Sequence, residues 1–407
     1  MGNQPGKRDV MREFEKLKRD LNEGNVPKVA AEYQKQLNEM QNLPLNIAVT
    51  GDAGVGKSSF VNAFRGVSDD DEEAAEVGIG KETLERKAYP HPDFPSIKLW
   101  DLPGIGTYKV KAAKYLKIVQ FETYDVFIMI ISDRFTENAA MLAKEIQRMK
   151  KKLYYVRSRF DETVSNEMRK RNFNMEDTLV SMRKYCERTL KEATGVSSSV
   201  YLISSREVHM YDFPRLQEII ATELPDHKKD ILTLAVQIFS EKELMRKKEL
   251  MKSRIKKVAL ISCFCGLVPV PGVSMVCDVV ILIDALRCFC KVFGLDNRSL
   301  RFLALQTGKE FEELRSAVKK TPLANAIDEK LVFSLVMKSS LWVAVSLVEL
   351  VLDSIPVLGS LFGGASSYIT TYYFLNSFLD DAVEDARNVR AKLLNEPESQ
   401  GKFKETS

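Results

Sequence analysis

Gly51-Asp-Ala-Gly-Val-Gly-Lys-Ser58 is the stretch of sequence that decides the fold of the first half of this chain. It matches the phosphate-binding pattern G-x-x-x-x-G-K-S/T at every fixed position. The apolar run from Leu45 to Thr50 predicts a strand before it, and Ser58 to Arg65 predicts a helix after it. A glycine-rich turn between a strand and a helix directs backbone N–H groups at phosphate oxygens. The sequence therefore predicts a P-loop nucleotide site.

Individual residues of this loop and of a second motif have expected roles at the nucleotide. Lys57 is expected to reach the β- and γ-phosphates, and the hydroxyl of Ser58 is expected to bind Mg²⁺. The second motif is Leu99-Trp-Asp-Leu-Pro-Gly104. In it, Asp101 is a predicted magnesium ligand, usually through water, and Gly104 is expected to bring a backbone N–H close to the γ-phosphate. The predicted phosphate contacts are Gly51, Asp52, Ala53, Gly54, Val55, Gly56, Lys57, Ser58, Ser59 and Gly104.

Recognition of a guanine base requires a carboxylate for its N1–H and its amino group. Tyr154-Tyr-Val-Arg-Ser-Arg-Phe-Asp161 stands where GTPases carry an N/T-K-x-D sequence. Asp161 is the predicted specificity residue, with Ser158 and Arg159 beside it. Arg159 replaces the lysine whose stem normally lies over the base, and an arginine can also stack there. Ser204-Ser205 predicts a backbone contact near the 6-oxygen of the base.

Short apolar runs alternate with helical stretches over residues 45–224, the predicted nucleotide-binding domain. Strands are predicted at Ser96–Trp100, Asp125–Ile131, Leu153–Val156 and Val200–Ile203, and helices near 136–151, 166–193 and 212–223. This alternation predicts an α/β fold with a mostly parallel sheet and helices on both faces. No strand pattern recurs beyond about residue 230. Residues 225–392 are therefore expected to form an all-α domain, followed by a disordered tail at 393–407.

The helical part contains two blocks that are long enough to raise the question of a membrane span. Val258 to Cys277 and Ser354 to Leu379 carry no charge, but proline and glycine interrupt both. We interpret them as buried helical hairpins, with membrane insertion as the alternative. Glu329 to Val351 has a narrow polar stripe, which is typical of a central bundle helix or of a membrane-binding helix. The basic run Arg246 to Lys257 indicates a solvated helix face, with lipid headgroup contact as the alternative.

Composition argues against several classes of protein. The chain has 407 residues and a net charge of +4, from 60 basic and 56 acidic residues, which does not indicate a nucleic-acid partner. Its six cysteines lack metal-type partners in the sequence and predict a reducing compartment. The N-terminus lacks the apolar core of a signal peptide, so the chain is not expected to be secreted. Gly2 is either an acylation site or part of a plain initiator dipeptide.

Four further motifs carry a family resemblance: Asp101-Leu-Pro-Gly-Ile-Gly-Thr107, Tyr89-Pro-His-Pro92, Tyr154-Tyr-Val-Arg157 and Tyr211-Asp-Phe-Pro214. With the P-loop, they resemble the immunity-related GTPases, the interferon-inducible family, over almost the whole chain. Lys57 resembles the branch with the ordinary lysine rather than the branch with methionine. The resemblance implies a dynamin-like protein with a Ras-like G domain and a helical domain built from residues 1–44 and 225–392.

The same resemblance implies an activity and a set of partners. It implies that the chain binds GTP, GDP and Mg²⁺, and that GTP drives its self-assembly into dimers or oligomers through the G domain. The implied place of action is the cytoplasm, with peripheral association with the lipids of endomembranes or pathogen-containing vacuoles. The implied role is cell-autonomous innate immunity.

Catalysis is where the sequence departs from that family. The family's first switch commonly reads E-x-T, with its glutamate linked to hydrolysis, whereas Lys81-Glu-Thr83 stands there in this chain. Thr83 matches the threonine and is expected to bind Mg²⁺. Glu82 lies one residue from the expected glutamate position. Lys57, Thr83 and Glu82 form the predicted catalytic set, provided that Glu82 replaces the missing glutamate.

The second departure from the family is Arg159 in the base motif. Water activation is a separate question, raised by comparison with small GTPases. Ile105 stands where small GTPases place a water-orienting glutamine, and an aliphatic side chain neither donates nor accepts a hydrogen bond. The chain is therefore expected to turn over slowly as a monomer and faster when self-association completes the site. Two alternatives stay open: a GTP-binding scaffold with little hydrolysis, and an ATP-dependent P-loop enzyme, against which Asp161 argues.

Overall fold

The computed structural model describes residues 43–78, 83, 85–105, 112–131, 135–266, 273–322, 324–332, 334–335 and 359–395. The chain divides into two compact units. The first falls within Gln41–Gln237 and takes in Leu305–Gly308. The second falls within Ile238–Ala304 and the chain from Lys309 onward.

A six-stranded sheet forms the centre of the first unit. Its strands are β1 (Leu45–Gly51), β2 (Lys87–Pro90), β3 (Ile97–Asp101), β4 (Val126–Ile131), β5 (Lys152–Arg157) and β6 (Val200–Leu202). Their spatial order is β2-β3-β1-β4-β5-β6. β2 is antiparallel to β3, and every other neighbouring pair is parallel. The predicted α/β fold with a mostly parallel sheet is confirmed.

Helices flank the strands of this sheet. They are α1 (Lys57–Arg65), α2 (Ala112–Ile118), α3 (Glu137–Arg148), α4 (Phe160–Glu167), α5 (Met175–Thr194), α6 (Phe213–Glu223) and α7 (Asp226–Ala235), with a 3-10 turn at Phe121–Thr123. The sequence predicted one helix over 166–193, and the structure has α4 and α5 instead. The reason is that the Asn174 side chain accepts a hydrogen bond from the Asp177 N–H and starts a new helix.

The end of the first unit lies further along the chain than Pro225. The division falls after Gln237, whereas the sequence placed it after residue 224. α7 stays with the sheet because its Lys228 ammonium lies 2.7 Å from the Asp125 carboxylate at the start of β4. Gln237 is also bonded back to α6, since its side-chain oxygen accepts from Gln217 Nε2 at 3.0 Å.

The strand register brings the two predicted phosphate motifs to one edge of the sheet. Val49 on β1 pairs with Asp101 on β3, and Gly51 pairs with Ile130 on β4. All three strands run in the same direction, so their carboxyl ends lie side by side. Ligands of open parallel sheets bind outside those ends.

The described residues of the second unit form helices and connecting turns, without a strand. The helices are α8 (Glu241–Gly266), α9 (Val273–Val292), α10 (Asn297–Thr307), α11 (Phe311–Arg315) and α12 (Gly359–Leu393), with a 3-10 turn at Ala324–Ala326. α10 ends in the segment Leu305–Gly308, which groups with the first unit. α8 and α12 pack together and share a buried hydrogen bond of 2.9 Å between the Ser262 and Thr371 hydroxyls.

The basic run that was predicted to form a solvated helix face lies on α8. Two lysines of the basic run pair within the unit: Lys248 lies 2.7 Å from Asp380, and Lys252 lies 2.9 Å from Glu249. No helix in the described part of the chain is long and apolar enough to cross a bilayer. Several predictions fall outside the described residues: Gly2 and the helices expected before residue 43, most of both proline-glycine breaks, most of the 329–351 helix, and the tail beyond residue 395.

Candidate functional site

The P-loop adopts the backbone shape that a phosphate cradle requires. A Cβ added to Gly51 would lie 2.2 Å from the carbonyl oxygen of Ile130, so only glycine fits where β1 meets β4. Gly56, at the start of α1, has a φ of 93°, in the left-handed region that favours glycine. These two residues let the chain curl from the strand into the helix, with the backbone N–H groups at the helix start turned inward.

Lys57 is the first residue of α1 and is held by the loop that precedes it. Its ammonium donates to the carbonyl of Asp52 at 2.7 Å and to that of Gly51 at 3.4 Å. The side chain is buried, and the residue lines a cavity of about 100 Å³. The other lining residues are Ala53, Gly54, Gly56, Ser58, Ser59, Glu76, Val77, Gly78, Thr83, Gly104 and Arg159. Lys57 is thereby placed to meet an anion in this cavity.

Two hydroxyl groups converge on one carboxylate oxygen beside that cavity. Ser58 Oγ donates to Asp101 Oδ2 at 2.6 Å, and Thr83 Oγ1 donates to the same atom at 3.0 Å. Asp101 is 1% exposed. Burial raises the pKa of its carboxyl group, while the Ser58 hydrogen bond and the charge of Lys57 act to lower it. The structure thus brings together all three predicted magnesium ligands.

The other carboxylate oxygen of Asp101 does not take part in these hydrogen bonds. Its Oδ1 is buried and has no hydrogen-bond partner among the described residues. An unpaired buried carboxylate oxygen costs free energy unless a cation or donor meets it. Carboxylate and hydroxyl oxygens are the hard ligands that Mg²⁺ prefers, and Mg²⁺ usually keeps several waters. The residues present therefore fit a magnesium ion held by Ser58, Thr83 and Asp101.

The loop after β3 packs directly against the P-loop. Its backbone is fixed by two hydrogen bonds to β1, from Leu102 N to Val49 O at 3.0 Å and from Ile105 N to Gly51 O at 3.2 Å. A Cβ on Gly104 would lie 2.9 Å from the backbone nitrogen of Ala53, so glycine is required for this close approach. The Ile105 side chain is buried in the core of the unit. An aliphatic side chain packed in the core cannot orient water.

The two base-recognition motifs lie next to each other. Phe160 N donates to Ile203 O at 3.0 Å, and this bond joins the start of α4 to the end of β6. Asp161 therefore lies in the first turn of α4, half-buried, near the loop that begins with Ser204 and Ser205. Ser204 is fully buried, and its Oγ accepts from Arg206 N at 3.1 Å.

Ser158 and Arg159 connect this base side to the P-loop. Ser158 Oγ donates to Val55 O at 2.6 Å, and Arg159 Nη2 donates to Gly54 O at 2.9 Å. Arg159 has a φ of 54° and precedes α4 as its N-cap. The sequence led us to expect its side chain over the base, and this stays a prediction. In the structure its guanidinium, at the tip of the side chain, also bonds the phosphate loop. That bond orders the P-loop from the base side.

Sequence reasoning missed the segment Glu76–Gly78, which lines the cavity. Asn62, fully buried on α1, fixes the loop that contains this segment: it accepts from Ala75 N at 2.6 Å and donates to Ala75 O at 2.9 Å. An asparagine on the apolar face of α1 was the available signal. Lys81 and Glu82 lie outside the described residues, so the role of Glu82 stays a prediction.

The family model and the similar proteins that match this chain belong to one family. The family model described as interferon-inducible GTPase (IIGP) matches residues 10–393. The rat protein "Interferon-inducible GTPase 5" is 36% identical over 96% of this chain and 84% of its own length. The mouse protein "Interferon-gamma-inducible GTPase 10" is 35% identical over 90% of this chain and 86% of its own.

The chain is also distantly similar to solved structures. The G domain of FeoB from Methanococcus jannaschii covers 44% of this chain and 97% of its own, with a TM-score of 0.28 and 18% identity. That likeness is too remote to carry an argument about function.

Proposed function

Because the chain belongs to the interferon-inducible GTPase family, we propose that its first unit binds GTP with Mg²⁺ and hydrolyses it to GDP and phosphate. The observation that carries this proposal is the convergence of Ser58 and Thr83 on Asp101, whose second oxygen is buried and unpaired among the described residues. Lys57 lies at the same cavity. Such a site suits a cation beside Asp101 and an anion in the cavity that Lys57 lines.

Each group at the site has a proposed task in hydrolysis. Lys57 binds the β- and γ-phosphates, and its charge opposes the negative charge that builds up on the phosphoryl oxygens. Ser58, Thr83 and Asp101 hold Mg²⁺, which supplies further charge stabilisation when bound. The backbone N–H of Gly104 contacts the γ-phosphate. Glu82 is proposed to act in catalysis from the switch segment next to Thr83.

Guanine selectivity is proposed to come from Asp161. Its carboxylate accepts from N1–H and the amino group of the base, and Ser158, Arg159, Ser204 and Ser205 complete the contacts. The Asp161→Asn variant tests this, because an amide donates to the 2-oxygen of xanthine and repels the 2-amino group of guanine. We expect it to weaken GTP binding and strengthen XTP binding. Glu162→Gln, an exposed neighbour, is the matched control and should change neither.

Turnover is proposed to depend on self-association through the G domain. The buried Ile105 side chain cannot position the attacking water, so a second copy of the chain supplies the missing group. Action in the cytoplasm, peripherally on the lipids of endomembranes or pathogen-containing vacuoles in cell-autonomous immunity, is proposed from family membership. Nucleic acid is not a proposed partner, because the net charge is only +4.

A second candidate function is a GTP-binding scaffold that hydrolyses little. Two features favour it: Ile105 is buried, and the sequence carries Lys81 where the family has a glutamate. A protein with this function would bind GTP and Mg²⁺ through the same contacts but would hydrolyse little GTP.

One experiment separates these functions. GTP and ATP binding and turnover are measured over a wide range of protein concentrations. Specific GTPase activity that rises with concentration supports assembly-dependent hydrolysis. Tight GTP binding with negligible turnover at every concentration supports the scaffold. Specific activity that is high and flat would contradict the self-association mechanism, and preference for ATP would overturn the guanine assignment.

A further inference from the structure

We propose that Gln306, from the C-terminal half of the chain, positions the loop that reads the guanine base. The loop runs from Ser204 to Val208, between β6 and α6. Gln306 lies on the last turn of α10, in the segment Leu305–Gly308 that groups with the nucleotide-binding unit. The inference rests on the proposed function, because it concerns the base side of the same site.

The carboxamide of Gln306 bonds this loop at two backbone groups. Its Oε1 accepts from Val208 N at 3.2 Å, and its Nε2 donates to Ser205 O at the longer distance of 3.5 Å. Val208 is fully buried, so its N–H could not turn to water if Gln306 were removed. A buried N–H left without a partner is costly, which makes the shorter of the two bonds the stronger constraint.

A second set of contacts joins the loop to the segment that carries Asp161. Tyr211 OH donates to Glu207 Oε2 at 3.1 Å, and the Tyr211 ring packs edge-on to Phe160 at 5.0 Å. Phe160 precedes Asp161 on α4. Contacts to the Asp161 segment and contacts to Gln306 thus both hold the loop.

Loss of Gln306 would free one side of a loop that acts through its backbone. Contacts to a base edge require donors within a few tenths of an ångström of their position. Within the loop, Ser204 Oγ accepts from Arg206 N, which shapes the turn but does not fix its place in the unit. Gln306 does not line the cavity beside Lys57, and its described hydrogen bonds go to Ser205 and Val208. It therefore acts as a positioning residue, and its effect should appear only in recognition of the 6-oxygen.

The test compares GTP with 2-aminopurine riboside triphosphate, which lacks the 6-oxygen. Two variants are used: Gln306→Leu removes both hydrogen bonds at similar volume, and Gln306→Asn keeps the amide but is too short to reach Val208. We expect each to weaken GTP binding about 5- to 10-fold, the effect of about one hydrogen bond, and to change analogue binding less than about twofold. Affinities are measured by competition against a fluorescent GDP. Leu305→Ala, on the same turn and largely exposed, is the control.

The outcomes separate this inference from the function on which it rests. If the variants weaken both nucleotides equally, Gln306 only stabilises the fold; if they weaken neither, the loop does not need it. Either result overturns the inference and leaves the GTPase proposal intact. A wild-type protein that binds GTP no better than ATP would overturn the guanine assignment, and this inference with it.

Discussion

Replacing Gly104 with alanine should separate the loop after β3 from the P-loop. The added methyl would lie 2.9 Å from the backbone nitrogen of Ala53 and 3.1 Å from its Cα and Cβ. Ordinary contact begins near 3.4 Å, so the two loops must part by about 0.5 Å (3.4 − 2.9). The neighbour is backbone, which cannot turn aside as a flexible side chain does. The whole displacement must be taken up by the two loops.

The size of the effect follows from that displacement. Forcing a methyl group into a packed site costs about 1–3 kcal/mol. If Gly104 contacts the γ-phosphate as proposed, GTP draws the two loops together and the strain is felt most in the GTP complex. GDP lacks that phosphate. We therefore expect the ratio of GTP to GDP affinity to fall about 5- to 100-fold, since each 1.4 kcal/mol is a factor of ten.

The assay measures this ratio together with the stability of the first unit. Fluorescent GTP and GDP analogues report affinity. Of the two tryptophans in the chain, Trp100 lies beside Asp101, so a Trp342→Phe background lets Trp100 fluorescence follow urea unfolding of the first unit. Gly195→Ala is the matched control: Gly195 has a φ of 80° and open space around its Cβ position. It should lose about 1–2 kcal/mol of stability without changing the GTP-to-GDP ratio.

Two results would refute the reasoning. If Gly104→Ala changes neither stability nor the affinity ratio, the loops are not in the close contact described. If it lowers GTP and GDP affinity equally, the contact exists but Gly104 does not sense the γ-phosphate.

Three further predictions concern charge and hydrogen bonding. Asp101→Asn removes the charge that faces Ser58 and should raise the Mg²⁺ concentration needed to retain the nucleotide by about 10- to 100-fold. This concentration is measured by following nucleotide release at a series of Mg²⁺ concentrations. An unchanged concentration contradicts the magnesium assignment. Arg159→Ala removes the 2.9 Å bond to Gly54 O and should speed GDP release about 3- to 10-fold in stopped flow, whereas Arg159→Lys should be closer to wild type. Burial lowers the pKa of His209, so the neutral form is favoured in the folded state. Above pH 6.5 His209 is neutral in both states, and below it the unfolded state gains a proton that the folded state resists, so folding stability is lost as the pH falls. Wild type should therefore lose more thermal stability than His209→Gln between pH 7.5 and 5.5. Equal losses in the two proteins would contradict this prediction.

Local sequence signals were enough to propose a nucleotide site, because each of its motifs is local. The P-loop depends on glycines and a lysine at fixed spacing, and the strands that carry it are short apolar runs. Asp101 and Thr83 could be assigned from motif spacing, and the structure brings both to Ser58. β2 was not predicted, because a four-residue strand ending in Pro90 at the edge of a sheet leaves almost no pattern.

The features that the sequence did not reveal depend on partners far along the chain. Gln306 meets Val208 across 98 positions, and Arg159 meets Gly54 across 105. Neither pairing follows from the periodicity or composition of either segment. Asn62 is different, because a polar residue among the apolar positions of α1 does indicate a buried partner, although not which one.

Ile105 shows how the backbone limits the possible sources of catalysis. Its N–H is bonded to Gly51 O, and its side chain enters the core, so the backbone fixes the direction in which residue 105 points. A polar substitution there would be buried rather than brought to the cavity. A water-orienting group must then come from another segment of the same chain, such as that of Glu82, or from a second copy. The first source gives a rate per molecule that is independent of concentration, and the second gives one that rises with it, so the order of the reaction in protein distinguishes the two sources.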